Sequence, residues 1–242
     1  MFSNEVAGKL NKRVNRVEVF FTLSEQNESL REQNARLLSY LPSGSLYADT
    51  AFRLVTDTSS IDSLTSYRQF QYFSAKVISN SVFLQQNIIV LQRGRDQGVE
   101  PNMAVLGTDG LMGTVIGVSN NMSTVMSLLH RQSKVIAVLK KGSGLGEVSW
   151  DGKDPRFLIL TKIPKTIEVK KGDTVVTSPY SDKFPPGMPI GYVEKVDQDQ
   201  ETNTYKLKIR TAVDFYTVQH AYVVKNLLQQ EMDQLKSTLI KE

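Results

Sequence analysis

The chain has 242 residues, of which 40% are hydrophobic, 22% charged and 8% aromatic, and its formal net charge is +4. This composition is that of an ordinary folded protein and excludes disordered and collagen-like classes. Cysteine is missing, which excludes disulfides, thiolate metal sites and cysteine nucleophiles. No stretch approaches the ~18 consecutive apolar residues of a membrane span, so the printed sequence predicts a soluble chain without its own anchor or signal peptide.

The first predicted element is a helix over residues 1–41 with an apolar line at heptad spacing. Leucines at one seam position and asparagines at the other are typical of a parallel two-stranded coiled coil, because the asparagines can pair across the seam. The alternative is an amphipathic helix that packs this line on its own domain. We favour the coil, since asparagines facing an apolar core would stay unpaired. The predicted dimerisation residues are Leu23, Asn27, Leu30, Asn34, Leu37 and Leu41.

The helix pattern ends at Pro42 and Gly44, and residues 42–73, rich in Ser, Thr and Asp, are interpreted as a linker. From residue 74 the hydrophobic period changes to two, and Asp-Gly and Asn-Asn pairs between the runs favour tight hairpin turns. Short strands without intervening helices predict barrels or a sandwich. The predicted strands are 74–80, 87–92, 103–107, 111–119, 124–129, 134–140, 146–150, 157–161, 174–178, 190–196, 205–210 and 220–224.

The predicted fold is therefore mainly β, with an N-terminal coiled-coil helix followed by two small β-barrels within residues 74–226. We assign residues 74–130 to the first barrel, with 206–226 as a candidate return to it. Residues 131–205 are assigned to the second barrel, and residues 227–242 to a C-terminal helical tail. An internal likeness supports two related barrels: residues 101–118 and 171–196 share a turn, a strand, a loop and a glycine-containing strand.

The loop of the second copy lies in "SPYSDKFPPGMPIGYV", where Pro185, Pro186 and Pro189 fall within five residues, and we call it the three-proline loop. Proline fixes φ and lacks a backbone donor, so this loop cannot join a sheet and costs little entropy to order. We interpret it as a stiff structural bridge rather than a catalytic loop. Phe184 is expected to plug a barrel end, Pro185 to stiffen the loop, and Gly187 and Gly191 to allow tight turns and close backbone approach.

Candidate catalytic groups are few. His130 and His220 are the two histidines, and Ser143 in "KKGSGLGE" does not occupy the strand-to-helix elbow of a nucleophilic serine. We expect no enzymatic activity, cofactor or metal, and keep a two-barrel serine-type hydrolase as the alternative. Lysines near residues 168–197 alternate with acids, so nucleic acid is not an expected partner.

Four blocks of the chain, taken in order, resemble the MreC family of bacterial rod-shape-determining proteins. They are residues 87–118, "GSGLGEVSWDG", "KKGDTVVTSPYSDKFPPGMPIGYVEKV" and "DFYTVQHAYVV", and together with the strands around them they cover about residues 75–225. The third block is the most specific, although Pro179 stands where the family usually has glycine. The tail 227–242 is an extension whose role the resemblance does not explain.

The resemblance implies a single-pass inner-membrane protein whose anchor is not in this sequence, with a dimerising coil and two barrels on the periplasmic side. It also implies a non-catalytic scaffold of the cell-elongation complex that maintains cell shape. The implied partners are a class B penicillin-binding protein, which it would bind and activate, MreD, other elongation-complex proteins, and further copies of the chain.

Overall fold

The computed structural model describes residues 23–39, 69–141, 144–198 and 202–239. Residues 23–39 form helix α1 and Gln229–Leu239 form helix α2. Every one of the twelve predicted strand segments overlaps a strand of the structure, so the mainly β fold is confirmed. The strands are β1 Phe70–Asn80, β2 Gln86–Leu91, β3 Ala104–Leu106, β4 Leu111–Val118, β5 Ser123–His130, β6 Lys134–Leu139, β7 Leu145–Ser149, β8 Phe157–Pro164, β9 Thr174–Thr177, β10 Pro189–Gln198, β11 Thr204–Thr211 and β12 His220–Asn226.

The strands close into two six-stranded barrels. Their order is β1-β12-β3-β4-β5-β2 in the first barrel and β10-β11-β8-β7-β6-β9 in the second. All neighbouring strands pair antiparallel. Closure pairs both sides of every strand, so neither barrel offers a free sheet edge to which another chain could add a strand.

The boundaries of the barrels differ from the predicted ones in two places. The return to the first barrel is made by β12 alone, whereas β11 pairs with β10 and β8 in the second barrel. The assignment of residues 206–211 to the return was therefore wrong. Alternation shows that a segment is a strand but not which strand it pairs with. β1 also begins at Phe70, inside the expected linker, because Phe70 pairs with Asn226 from the far end of the chain.

The two barrels share one strand order. The correspondence is position by position around each barrel: the first barrel, read as β12-β3-β4-β5-β2-β1, matches the second, read as β6-β9-β10-β11-β8-β7. The second barrel is thus six consecutive strands, while the first takes its equivalent of β6 from the end of the chain. The sequence likeness of residues 101–118 to 171–196 is explained, because these segments hold the equivalent hairpins β3–β4 and β9–β10.

One glycine occupies the same place in each barrel. A Cβ on Gly113 of β4 would lie 2.1 Å from the carbonyl oxygen of Met126, and one on Gly191 of β10 would lie 2.3 Å from that of Arg210. Both contacts are made by the following strand of the barrel, β5 or β11. Since these distances are far below contact, each barrel requires glycine where its two backbones approach.

The cores fill the barrel interiors. In β2 and β6 the side chains alternate between exposed and buried positions, as the period of two predicts. Burying a leucine or isoleucine fully contributes about 1.5–3 kcal/mol, so each barrel is stabilised mainly by its own interior. Fully buried large side chains include Leu91, Leu111 and Leu129 in the first barrel and Leu139, Leu160 and Leu207 in the second.

Short connections and polar contacts hold the barrels together. Only residues 131–133 separate β5 from β6. The side-chain amide of Gln85 donates to the carbonyl of Gly152 at 3.2 Å, and the Arg131 guanidinium donates to the Gln85 side-chain oxygen at 3.3 Å. In the described part of the chain, neither helix is long and apolar enough to cross a membrane.

Candidate interaction surfaces

The three-proline loop is anchored from inside the second barrel. The hydroxyl of Thr177, a fully buried residue, donates to the carbonyl of Pro185 at 2.6 Å and accepts the backbone N–H of Met188 at 2.9 Å. The backbone N–H of Gly187, where φ is 76°, donates to the Thr177 carbonyl at 3.1 Å. Phe184 is buried in the core. These contacts fit a stiff structural segment. The expectation that the prolines stay outside the sheet was wrong for Pro189, which begins β10 opposite Val176, because a proline at the first position of a strand need not donate to the ladder.

The histidines do not form a catalytic arrangement. Nδ1 of the buried His130 accepts the backbone N–H of Gln132 at 3.0 Å, and burial lowers the pKa of this imidazole. Burial and the nearby Arg31 also lower the pKa of His220. In the regions that the structure describes, neither histidine bonds to a carboxylate, and Ser143 lies outside those regions. The same regions contain no cluster of histidine and acidic residues that could hold a metal ion.

Helix α1 contacts the first barrel, but not through its leucine line. Ala35 and Ser39 are buried, and the Ser39 hydroxyl accepts the backbone N–H of Tyr72 in β1 at 3.1 Å. The predicted seam points elsewhere: Leu23, Leu30 and Leu37 are 51%, 55% and 63% exposed, and both asparagines are exposed.

The alternative reading of α1, in which the leucine line packs on its own domain, is therefore not what the structure shows. The helix uses one face for the barrel and leaves the seam available. Leu41 and the linker up to residue 68 lie outside the described residues.

A second exposed apolar surface, which we call the aromatic patch, consists of Phe83, Leu84 and Tyr216. Phe83 is 79% exposed and Tyr216 51%, and their ring centroids lie 5.9 Å apart. Phe83 and Leu84 belong to the β1–β2 connection, and Tyr216 to the segment that leads from the second barrel back to β12. Large side chains exposed together in this way are typical of interaction sites.

The backbone beneath the aromatic patch is fixed by two side-chain amides, one fully buried and one partly buried. The side chain of Asn87, fully buried, accepts the N–H of Leu84 at 2.9 Å and donates to the carbonyls of Leu84 and Leu129, both at 2.8 Å. The Asn80 amide donates to the carbonyl of Phe215 at 2.6 Å, next to Tyr216. The patch is therefore presented on a preorganised support, which lowers the entropy lost on binding.

Sequence reasoning missed the aromatic patch, because Phe83 and Tyr216 are 133 positions apart in the printed sequence. One local signal was available: the adjacent apolar residues Phe83 and Leu84 stand in a predicted turn between two strands. Turns are usually polar, so an apolar pair there indicates either a buried plug or a contact surface.

Helix α2 lies beside a polar cleft of about 210 Å³ that is lined by both barrels. The Lys236 ammonium lies 2.5 Å from the Asp182 carboxylate on the three-proline loop, and the Asn226 amide donates to the Asp182 carbonyl at 2.7 Å. Burial raises the pKa of Asp182, but the hydrogen bond and charge of Lys236, a backbone hydrogen bond and the charge of Lys183 together outweigh it, so the pKa lies below its ordinary value. The tail thus fastens the end of the first barrel to the loop of the second.

Comparisons with known proteins agree on one family. The family model described as "Rod shape-determining protein MreC, barrel core" matches residues 77–225. The cell shape-determining protein MreC of Listeria monocytogenes is 31% identical over 169 residues, which cover 69% of this chain and 57% of that protein. The chain thus spans little more than half of this relative's length.

Solved structures share the architecture. A structure of MreC from Listeria monocytogenes, 27% identical, matches with a TM-score of 0.60 over 88% of this chain and 93% of that one. The major periplasmic domain of a cell shape-determining filament MreC, 22% identical, gives 0.55 over 65% and 96%. MreC of Helicobacter pylori, solved in complex with penicillin-binding protein PBP2 and 16% identical, gives 0.53 over 65% and 99%. The last two likenesses show the fold alone.

Proposed function

Because this chain belongs to the MreC family of rod shape-determining proteins, we propose that it is a non-catalytic scaffold on the periplasmic side of the bacterial inner membrane. In this role it holds peptidoglycan synthesis enzymes of the elongation complex together and so maintains cell shape. The observation that carries the proposal is the aromatic patch, a rigidly supported apolar surface on a fold in whose described residues neither histidine bonds to a carboxylate. A hydrolase finds no comparable support in the described residues.

We propose that a class B penicillin-binding protein docks on the aromatic patch. Exposed aromatic side chains on a fixed backbone are the usual anchors of protein interfaces, where a few residues contribute most of the affinity. The closed barrels make docking by added strands unavailable, so a face rather than an edge must receive the partner. A relative from Helicobacter pylori was solved with such a protein. Preferential binding to one conformation of the enzyme would activate it by shifting populations.

We also propose that two chains pair through the exposed seam of α1. From Leu23 to Leu37 the seam extends about 21 Å at 1.5 Å per residue, and the barrel contact of Ala35 and Ser39 leaves it uncovered. Pairing would bury the three leucines and join the asparagines across the axis. Higher self-assembly, contact with MreD and attachment through an anchor outside the printed sequence belong to the same proposal and follow from family membership.

The docking proposal is tested with Phe83→Ala and Tyr216→Ala against a purified class B penicillin-binding protein. Truncating an anchor residue costs about 2 kcal/mol or more, so each variant should bind at least about tenfold more weakly. Tyr180→Ala is the matched control, because Tyr180 is 82% exposed and lies outside the aromatic patch. Undiminished binding by both patch variants, or an equal loss in the control, would contradict docking at this surface.

The pairing proposal is tested by sedimentation. The chain should have the mass of a dimer, and Leu30→Lys should shift it to a monomer by placing charges in the seam. Leu235→Lys on α2, where Leu235 is 62% exposed, is the control and should remain dimeric. The double variant Asn27→Leu and Asn34→Leu should still associate, but it should form oligomers other than the dimer as well. A wild-type chain that stays monomeric at high concentration would refute the pairing.

A further inference from the structure

The outer face of β11 carries three cations in a line. In "YKLKIR" the side chains of Leu207 and Ile209 point into the second barrel, so the intervening residues Lys206, Lys208 and Arg210 share its outer face. We call these three residues the basic row. Alternate residues of a strand are about 7 Å apart, so the row presents evenly spaced charges over about 13 Å.

The acids around the basic row are already paired with other cations. The carboxylate of Asp197, opposite Lys206 in the sheet, lies 2.7 Å from the Lys195 ammonium. Glu194 pairs with Lys171 at 2.6 Å, and Asp154 with Arg156 at 2.7 Å. Across the described ranges, no member of the basic row takes part in an ion pair. Glu194 and Asp154 lie within Coulombic reach of the row but are each bound to another cation, so the described residues around the row carry a surplus of positive charge.

Aromatic rings flank two of these cations. The Lys208 ammonium lies 3.8 Å from the ring centroid of Phe157 on β8, and the Arg210 guanidinium 5.7 Å from that of Tyr192 on β10. Such contacts restrict the long side chains and keep their charges on the sheet face. The rings also offer flat apolar surface beside each charge. The cations of β11 and the rings of β8 and β10 thus form one shallow, linear surface.

We propose that the basic row binds a linear, phosphodiester-linked polyanion; that this is a polymer of the cell envelope rests on the proposed periplasmic function. Lysine and arginine are the usual phosphate ligands, and a strip one strand wide fits an extended chain with regularly spaced charges. Rings beside the cations could stack on sugar or polyol units between the phosphates. The inference is independent of the aromatic patch, which lies on other segments.

Two other occupants fit the basic row less well. Protein interfaces have an apolar centre from which charged residues are depleted, and here the largest exposed ring is Tyr192, at 36%. Membrane-surface binding uses inserted apolar side chains together with charges spread over a broad face. The row lacks inserted side chains, and its charges lie in one line.

The test uses fluorescently labelled long-chain inorganic polyphosphate and measures binding by anisotropy across a salt titration. Changing Lys206, Lys208 and Arg210 together to Gln removes three phosphate contacts, so the slope of log K against log salt should fall by about 2. Binding at low salt should weaken at least about tenfold. These side chains lie outside the core, and circular dichroism will verify that the variant is folded.

The matched control changes Lys76, Arg95 and Lys140 to Gln, which removes the same charge from exposed positions elsewhere on the two barrels. An equal loss in both variants would mean that net charge alone attracts the polymer, and it would overturn the proposal. Unchanged binding in the basic-row variant would also overturn it. The proposal would also be overturned if the basic-row variant lost binding only to vesicles with anionic lipid, or only to the penicillin-binding protein. The row would then bind a membrane or a protein and not a polyanion.

Discussion

The three-proline loop depends on one buried hydroxyl, and Thr177→Val tests that dependence. Valine has nearly the shape of threonine but neither donates nor accepts a hydrogen bond. The substitution removes the bond from the Thr177 hydroxyl to the Pro185 carbonyl and the bond that the hydroxyl accepts from the Met188 N–H. The rest of the loop gains no new partner for these two backbone groups.

The expected cost follows from the burial of these groups. Thr177 and Pro185 are buried, and Met188 is partly buried. Leaving a buried polar group unpaired costs about 1–3 kcal/mol. Because water can reach part of Met188, we expect a total loss of about 2–4 kcal/mol in the free energy of unfolding. For a domain of this size that corresponds to a fall in Tm of about 5–15 °C.

Urea denaturation followed by circular dichroism measures the loss, and Thr177→Ser is the control. Serine keeps the hydroxyl and removes one methyl group, which should cost only about 1 kcal/mol. The valine variant should therefore unfold at distinctly lower urea concentration than the serine variant. If valine were as stable as serine, the hydroxyl would not anchor the loop and the reasoning would be refuted.

Two further predictions concern the barrels and the tail. Gly113→Ala and Gly191→Ala should each lower the free energy of unfolding by more than about 2 kcal/mol, the level of overpacking. Gly117→Ala is the control and should be tolerated, because its Cβ would lie 3.7 Å from its nearest neighbour. Urea unfolding compares the three variants, and equal stability would contradict the close backbone approach. Despite burial, which raises it, the pKa of Asp182 is held below its ordinary value by the hydrogen bond and charge of Lys236 together with the carboxylate's other favourable contacts. The contact with Lys236 therefore stabilises α2 above the ordinary aspartate pKa of about 3.9 and is lost as the pH falls through the lower folded value. Protection of the α2 amides, measured against the intrinsic exchange rate at each pH, should then fall, and Asp182→Asn should lower this protection already at neutral pH. Full protection in that variant would rule out the anchoring.

The positions of the strands could be predicted because barrel walls impose a local rule. A strand with one face in the core alternates buried and exposed positions, as β2, β6 and β11 do, whereas β3 is buried throughout and was found from its flanking turns. The heptad line of α1 was also readable, since Leu23, Leu30 and Leu37 recur at fixed spacing. Whether that line pairs with a second chain stays a prediction, and the structure adds that the line is exposed.

Family membership was accessible for a related reason. The glycines and prolines of "KFPPGMPIGYV" are restricted by backbone geometry, as the close approach at Gly191 and the positive φ at Gly187 show. Residues with such restrictions have few substitutes, so they form a pattern that can be recognised in the sequence alone.

By itself, then, the sequence determined the β class, the number of strands, the helical seam and the family, because each is set by residues near one another in the chain. Tertiary structure decided that β12 and not β11 closes the first barrel, that Phe83 meets Tyr216, and that the acids beside Lys206, Lys208 and Arg210 are engaged elsewhere. These features arise from pairings between distant segments. Local spacing carries no information about such pairings, and only the closed barrels place the groups side by side.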